Sequence, residues 1–202
     1  MYKLLNYILD FIFPPKPEEI RIRNLPIDWL SENSPKSETT EFPFIESLFS
    51  YKDSLIRELI WQIKYKKNKH AVECASYSLL QKLDTPAILI PIPISKKRRK
   101  ERGYNQCELL VDAIIRQDIR NILTKNFSFL IRIKDIEKQT FKNRNERLEN
   151  TRGIFEIVGE IDTNKNIVIV DDVSTTGSTL LEAREILLKA GYTHVRCLTI
   201  AH

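Results

Sequence analysis

Hydrophobic positions follow two rhythms along the chain. The first is helical. Leu4, Leu5, Ile8, Leu9 and Ile12 repeat at helical spacing and predict a short amphipathic helix at the start. From Ser54, a residue type suited to an N-cap, Leu55, Ile56, Leu59, Ile60 and Ile63 line one face of a second helix. It ends in the basic run Lys64-Tyr65-Lys66-Lys67, read as cations complementing a helix C-terminus. A third helix is expected over Ala71 to Leu83. Residues 14–43 carry six of the nine prolines and the cluster SENSPKSETTE, which predicts a poorly regular connector and a boundary near residue 45.

The second rhythm alternates short apolar runs with helices. AILIPI (87–92), FSFLIRI (127–133), NIVIVDD (166–172) and HVRCLTIA (194–201) read as strands, with GIFEIVG (153–159) a short strand or hairpin. Helices are expected over Gln106 to Arg116 and Ser178 to Ala190. Strands alternating with helices imply βαβ units, hence an α/β fold with a central, mostly parallel sheet flanked by helices. Residues 134–152 are polar and lack periodicity, as a lid over a site or a disordered segment would.

Composition changes this picture in one respect. The 202 residues include 32 Lys+Arg and 27 Asp+Glu, a net charge of +5, with 42% hydrophobic residues. That is ordinary for a globular protein and excludes collagenous or low-complexity chains. The charge is uneven: residues 1–54 sum to −3 and residues 55–202 to +8, with 16 basic and 8 acidic residues in 96–152 alone. A local basic excess argues for an anionic ligand or nucleic acid. Cys74, Cys107 and Cys197 form no C-x-x-C pair, so they read as small buried hydrophobes and not as a disulfide or zinc framework. No apolar run is expected to span a membrane, and Asp10 followed by FPPKPEE argues against a secretory leader, so a cytoplasmic protein is expected.

The sharpest passage is NIVIVDDVSTTGSTL, residues 166–180. A buried strand runs into two carboxylates, Asp171 and Asp172, and ligands in open parallel sheets lie beyond the carboxyl ends of strands. Ser174, Thr175, Thr176, Gly177, Ser178 and Thr179 then lead into a helix. Their hydroxyls, with the free N–H groups of the helix start, can enclose a phosphate. One Asp there would often cap a loop. Two acids followed by T-T-G-S-T suit a sugar phosphate, the acids accepting from ribose hydroxyls and the loop holding the 5′-phosphate. No P-loop or dinucleotide fingerprint is present.

These residues resemble the phosphoribosyl-diphosphate (PRPP) binding motif of type I phosphoribosyltransferases. Two further passages are similar to the ComF competence family within that superfamily: IPIPISKKRRKERGYNQCEL (90–109), and the spacing of Arg132, Gln139, Arg147, Asn150 and Phe155. LIWQIKYKKNKH (59–70) resembles that family's L-I-x-x-L-K-Y-x-G segment without its Gly. The likeness covers roughly residues 45–202. It implies a phosphoribosyltransferase-like domain over 46–202, with a flexible hood loop and a small N-terminal helical extension over 1–45. Relatives commonly carry F-P-P-x-C-x-x-C where this chain reads Phe13-Pro14-Pro15-Lys16-Pro17-Glu18-Glu19, so no zinc is expected.

The resemblance assigns the ribose hydroxyls to Asp171 and Asp172 and the 5′-phosphate to residues 174–179. Ser95, Lys96, Arg102 and Gly103 become candidates for the diphosphate, and Gln139, Arg144 and Arg147 for the hood. For ERLEN (146–150) a surface helix turn is the plain alternative. The run KKRRKER (96–102) reads equally as a solvated mobile loop or a nucleic-acid contact. Tyr104 and Asn105 are candidates to stack and pair with a base, with Tyr104 equally a core aromatic, and Trp29 and Trp61 are expected to pack in the core or against the N-terminal segment. The implied reaction is Mg²⁺-dependent transfer of phosphoribosyl from PRPP to an unidentified nitrogenous base, with no protein metal ligand expected beyond Asp171 and Asp172. Natural transformation and DNA uptake are implied as its setting, with competence proteins as partners. The rival reading is an accessory protein that binds PRPP, a nucleotide or single-stranded DNA without catalysis.

Overall fold

A computed structural model describes residues 16–37, 42–134 and 153–202. The expected helix over residues 4–12 and the hood candidates Gln139, Arg144 and Arg147 lie outside the described residues.

The connector expected over residues 14–43 contains two short helices, α1 (Pro17–Arg23) and α2 (Trp29–Asn33). Proline density misleads here because Pro17 stands in the first turn of α1, where its missing N–H has no intrahelical partner to lose. Glu18 and Glu19 at the start of α1 and Arg21 and Arg23 at its end complement the helix dipole. Ile22, Leu25 and Leu30 anchor this segment in the main core.

Strand β1 (Ile45–Phe49) follows, then α3 (Ser54–Trp61), capped by Asp53 and not by Ser54: the Asp53 carboxylate accepts from the Ile56 N–H at 3.0 Å. Leu55, Ile56, Leu59, Ile60 and Ile63 are all buried, as their spacing predicts. Helix α3 widens into a π-helical turn, Gln62–Lys66, which ends at Lys67 in the left-handed conformation (φ 49°). That conformation disfavours a side chain, and it sits at the position where the family segment carries Gly. Tyr104 braces the turn, donating to the Ile63 carbonyl (2.8 Å) and accepting from the Lys67 N–H (3.1 Å). Asn68 donates to Gln62, then caps α4 (Lys69–Leu80) through the N–H groups of His70 and Ala71.

Next come β2 (Ala87–Pro91), α5 (Lys96–Arg102), α6 (Gln106–Gln117), β3 (Leu123–Lys125), β4 (Leu130–Arg132), β5 (Phe155–Ile157), β6 (Ile167–Val173), α7 (Ser178–Lys189) and β7 (Val195–Ala201). Five strands make one parallel sheet in the order β1-β7-β6-β2-β3. Strands β4 and β5 pair antiparallel as a separate ribbon. The sheet carries apolar residues on both faces because both are covered. Val168, Val170, Leu198 and Ile200 pack with α3, α4 and α6, whereas Ile167, Ile169, Val195 and Cys197 pack with α7 and the ribbon. No described helix is long and apolar enough to cross a membrane.

The basic run 96–102 is a helix, not a loop. Ser95 caps it by accepting from the Arg98 N–H (3.1 Å), and Gly103 (φ 78°) ends it in the left-handed conformation that glycine adopts freely. None of its residues is buried.

Candidate functional site

Strand order dictates where the site lies. From β2 the chain moves outward to β3, whereas from β6 it moves the other way to β7. The adjacent carboxyl ends of β2 and β6 are therefore a topological switch point, where open α/β sheets leave a crevice for ligands. Asp171 and Asp172 close β6, and Ser95 follows β2 at the same edge.

Alternation along β6 carries into the acid pair. Asp172 continues the face of Val168 and Val170, Asp171 that of Ile167 and Ile169. Asp172 is only 3% exposed. Its Oδ1 accepts from the Val173 N–H (2.9 Å) and its Oδ2 lies 2.8 Å from Lys64 Nζ, an ion pair without aligned hydrogen-bond geometry. Asp171 Oδ1 accepts from the Asp172 N–H (2.8 Å) and from the Cys107 thiol in the first turn of α6 (3.3 Å).

These surroundings set the charges. Burial, then the adjacent Asp172, push the Asp171 carboxyl up to about 7. Burial and the two carboxylates hold the Cys107 thiol well above its usual range, so it serves as a neutral S–H donor. Burial opposes the charge on Lys64, but Asp172, with a lesser contribution from Asp171, outweighs it and raises the Lys64 pKa.

Beyond the acids, Asp171, Val173 and residues 174–180 line a notch of about 40 Å³, room for one small group. Ser174 is fixed at its floor: its N–H donates to the Ala201 carbonyl (2.9 Å) and its own carbonyl meets His202 Nδ1 (2.8 Å). Thr176 and Ser178 hydroxyls pair at 3.0 Å. The first-turn N–H groups of α7 lack intrahelical acceptors, as at any helix start, and point the positive end of the helix into the notch. Gly177 is required twice over. Its φ is 72°, and a Cβ there would come within 2.7 Å of the Phe42 ring. Its role is therefore to let Phe42 pack beneath the loop as well as to bring backbone close to a ligand.

The six loop residues 174–179 and both acids are thus together. The diphosphate candidates are arranged differently. Ser95 is occupied as a cap, Gly103 ends α5, and Arg102 donates to Gln106 (2.7 Å) and lies over the Tyr65 ring (5.1 Å). Lys96 is exposed on α5 at the same sheet edge. Asn105 caps α6 and donates to the Ile92 carbonyl (2.9 Å), a structural role. Tyr104 is half-buried and serves as the brace of the π-turn.

Lys64 is the residue that reading the basic run as a helix-end cation misses. The signal is in the sequence: Lys64 stands four positions after buried Ile60, on the apolar stripe of α3. Trp61 is corrected too, being 42% exposed. A larger cavity of about 490 Å³ lies beside α1 and α3, with Lys64 on its wall.

The donors beside Asp171 do not make a Mg²⁺ site. Cys107, Asp171 and Asp172 place ligand atoms within 4.8 Å of one another, but a thiol is a poor partner for this ion and the Lys64 ammonium already neutralises Asp172.

A family model described as "Phosphoribosyl transferase domain" matches residues 115–202. The chain is 32% identical over 150 residues to "Competence protein ComFC" of Bacillus subtilis, covering 72% of this chain and 58% of that one. It is 28% identical over 142 residues to "DNA utilization protein YhgH" of Escherichia coli K12, covering 66% and 61%. It therefore spans less than two thirds of these relatives. A solved hypoxanthine phosphoribosyltransferase from Staphylococcus aureus aligns at 15% identity and a TM-score of 0.36, covering 70% of this chain and 62% of that one, too slight a likeness to bear on function.

The Asp171 shift has a testable consequence for stability. Its folded pKa lies above the ordinary aspartate range, so the native state holds this proton more tightly than the unfolded chain. The contribution is complete below the ordinary Asp range and is lost as pH rises through about 7. Asp171→Asn is expected to be stabilising relative to wild type at pH 8 and close to neutral at pH 4. Urea unfolding at the two pH values checks this.

Proposed function

From the premise that the chain is a ComF-family protein of phosphoribosyltransferase type, we propose that it binds PRPP and transfers its phosphoribosyl group to a nitrogenous base. The observation that carries the reading is the run from two carboxylates at the end of β6 directly into the 174–179 loop and the start of α7. A sugar phosphate uses both halves of that arrangement, its hydroxyls meeting the acids and its phosphate the loop.

Within this reading the 5′-phosphate sits in the notch, on the α7 N–H groups and the Thr176 and Ser178 hydroxyls. Ribose hydroxyls donate to the acid pair. A nitrogen lone pair forms a bond to the anomeric carbon while the C–O bond to diphosphate breaks, the electron pair leaves with diphosphate, and the nitrogen sheds a proton. Positive charge builds on the sugar in such displacements. Carboxylates beside the ring stabilise it, each preorganised contact contributing on the order of 3 kcal/mol. Lys96 and the cationic α5 stand at the same sheet edge as the departing diphosphate. A Mg²⁺ ion that accompanies PRPP belongs to the substrate, on its diphosphate oxygens.

The second reading, single-stranded nucleic-acid binding without catalysis, is favoured by a strip of exposed aromatics and cations. Trp61 (42% exposed) and Tyr65 (57% exposed) lie 5.8 Å apart between ring centroids, with Lys66 over Trp61, Arg102 over Tyr65 and α5 alongside. Exposed rings interleaved with Lys and Arg suit stacked bases and a tracked backbone.

Three measurements decide these readings. With PRPP, Mg²⁺ and a panel of bases, the protein is expected to release diphosphate. Asp171→Asn combined with Asp172→Asn is expected to abolish PRPP binding by calorimetry while leaving the circular dichroism spectrum unchanged. PRPP binding without turnover overturns the transfer reaction, and normal binding by the double variant overturns the site. For the second reading, affinity for single-stranded DNA is expected to fall steeply with salt. A flat dependence removes the basic strip from the account.

A further inference from the structure

We infer that Lys64 is a positioning residue for the acid pair: its ammonium holds the Asp172 carboxylate in place as a hydrogen-bond acceptor for the sugar. The inference rests on the sugar-phosphate reading of the site and adds a residue from a different part of the chain.

Three observations converge on it. The first is placement. Lys64 occupies a stripe position of α3 at which the preceding residues, Ile56, Leu59, Ile60 and Ile63, are all buried and apolar. A lysine on such a stripe is retained where its charge has a partner, and here Nζ reaches Asp172 Oδ2 at 2.8 Å with side chains 21% and 5% exposed.

The second is the backbone that presents it. Lys64 is the middle residue of the π-helical turn, and such turns gather at functional positions. The turn is fixed from three directions. Tyr104 holds both the Ile63 carbonyl and the Lys67 N–H, Asn68 donates to the buried Gln62 side chain, and Gln62 in turn donates to Glu58 (3.3 Å). Arg102 at the end of α5 stacks on Tyr65, the next residue, so the turn is also tied to the basic helix. Strained backbone persists where its surroundings over-determine it.

The third is the charge that needs an answer. Asp171 and Asp172 are neighbours in a buried strand end, and two carboxylates side by side repel. Asp171 is met by a thiol and an N–H, both uncharged. Among the described residues, Lys64 is the cation that pairs with this acid couple, and it fixes Asp172 by a full charge. A carboxylate has about four lone-pair directions; the Val173 N–H takes one and the Lys64 ammonium lies against Oδ2, which leaves acceptor capacity for a hydroxyl.

The test uses ribose 5-phosphate and inorganic phosphate as probes, titrated by calorimetry into the full chain. Lys64→Met is expected to bind ribose 5-phosphate about tenfold more weakly, the loss of roughly one well-placed hydrogen bond, and inorganic phosphate within about twofold of wild type. Added to Asp172→Asn, it is expected to cause no further loss, because it acts through that carboxylate. Lys64→Arg, which keeps a cation in place, is expected to retain ribose 5-phosphate binding and serves if Lys64→Met does not fold. Undiminished ribose 5-phosphate binding by Lys64→Met overturns the inference. So do equal losses for both probes, additive losses with Asp172→Asn, or a folded Lys64→Arg that has lost ribose 5-phosphate. Wild-type protein that binds inorganic phosphate but not ribose 5-phosphate instead overturns the site reading itself.

Discussion

Two neighbouring carboxylates at the end of a buried parallel strand are the constraint on which this structure turns. Water would solvate both, but β6 carries Asp172 into an environment where it is 3% exposed. An isolated buried charge is costly unless paired. The fold meets the problem unequally. Asp172 receives the Lys64 ammonium, whereas Asp171 receives a thiol hydrogen and a backbone N–H and stays at the notch. The arrangement is poor for stability and good for recognition, since Asp171 has acceptor capacity left to offer a ligand.

The rest of the architecture serves that strand end. Doubly covered strands put apolar side chains on both faces, so polar groups can converge only where the strands stop. The reversal of strand order between β2 and β6 opens the crevice there. Phe42, packed beneath Gly177, and Ser174, tied to Ala201 and His202, fix the loop between acids and helix before any ligand arrives. Preorganised donors of this kind lose little freedom on binding.

Much of this is legible in the residues. The runs at 87–92, 166–172 and 194–201 hold strands because continuous apolar residues fit a doubly covered sheet, and the acid pair stands at a strand end beside its hydroxyl-rich loop. What the sequence hides is tertiary. IESLF (45–49) alternates too briefly, next to a proline-rich stretch, to announce an edge strand, yet it pairs in register with β7. KKRRKER reads as solvated chain because like charges repel; only Ser95 before it and Gly103 after it mark a helix. Lys64 hides behind its neighbours Lys66 and Lys67, which do behave as exposed cations. Its separate role follows from the stripe of α3, and its partner lies more than a hundred residues away in the chain.

The central claim is that a phosphorylated ribose occupies the carboxyl end of β6 and the start of α7. Amide NMR shifts on titration with PRPP and Mg²⁺ test it most directly. The largest perturbations are expected at residues 171–179, with a second set at the π-turn 62–67 and none along α4. Shifts centred on the Trp61–Tyr65 strip and α5, with 171–179 unmoved, would contradict it.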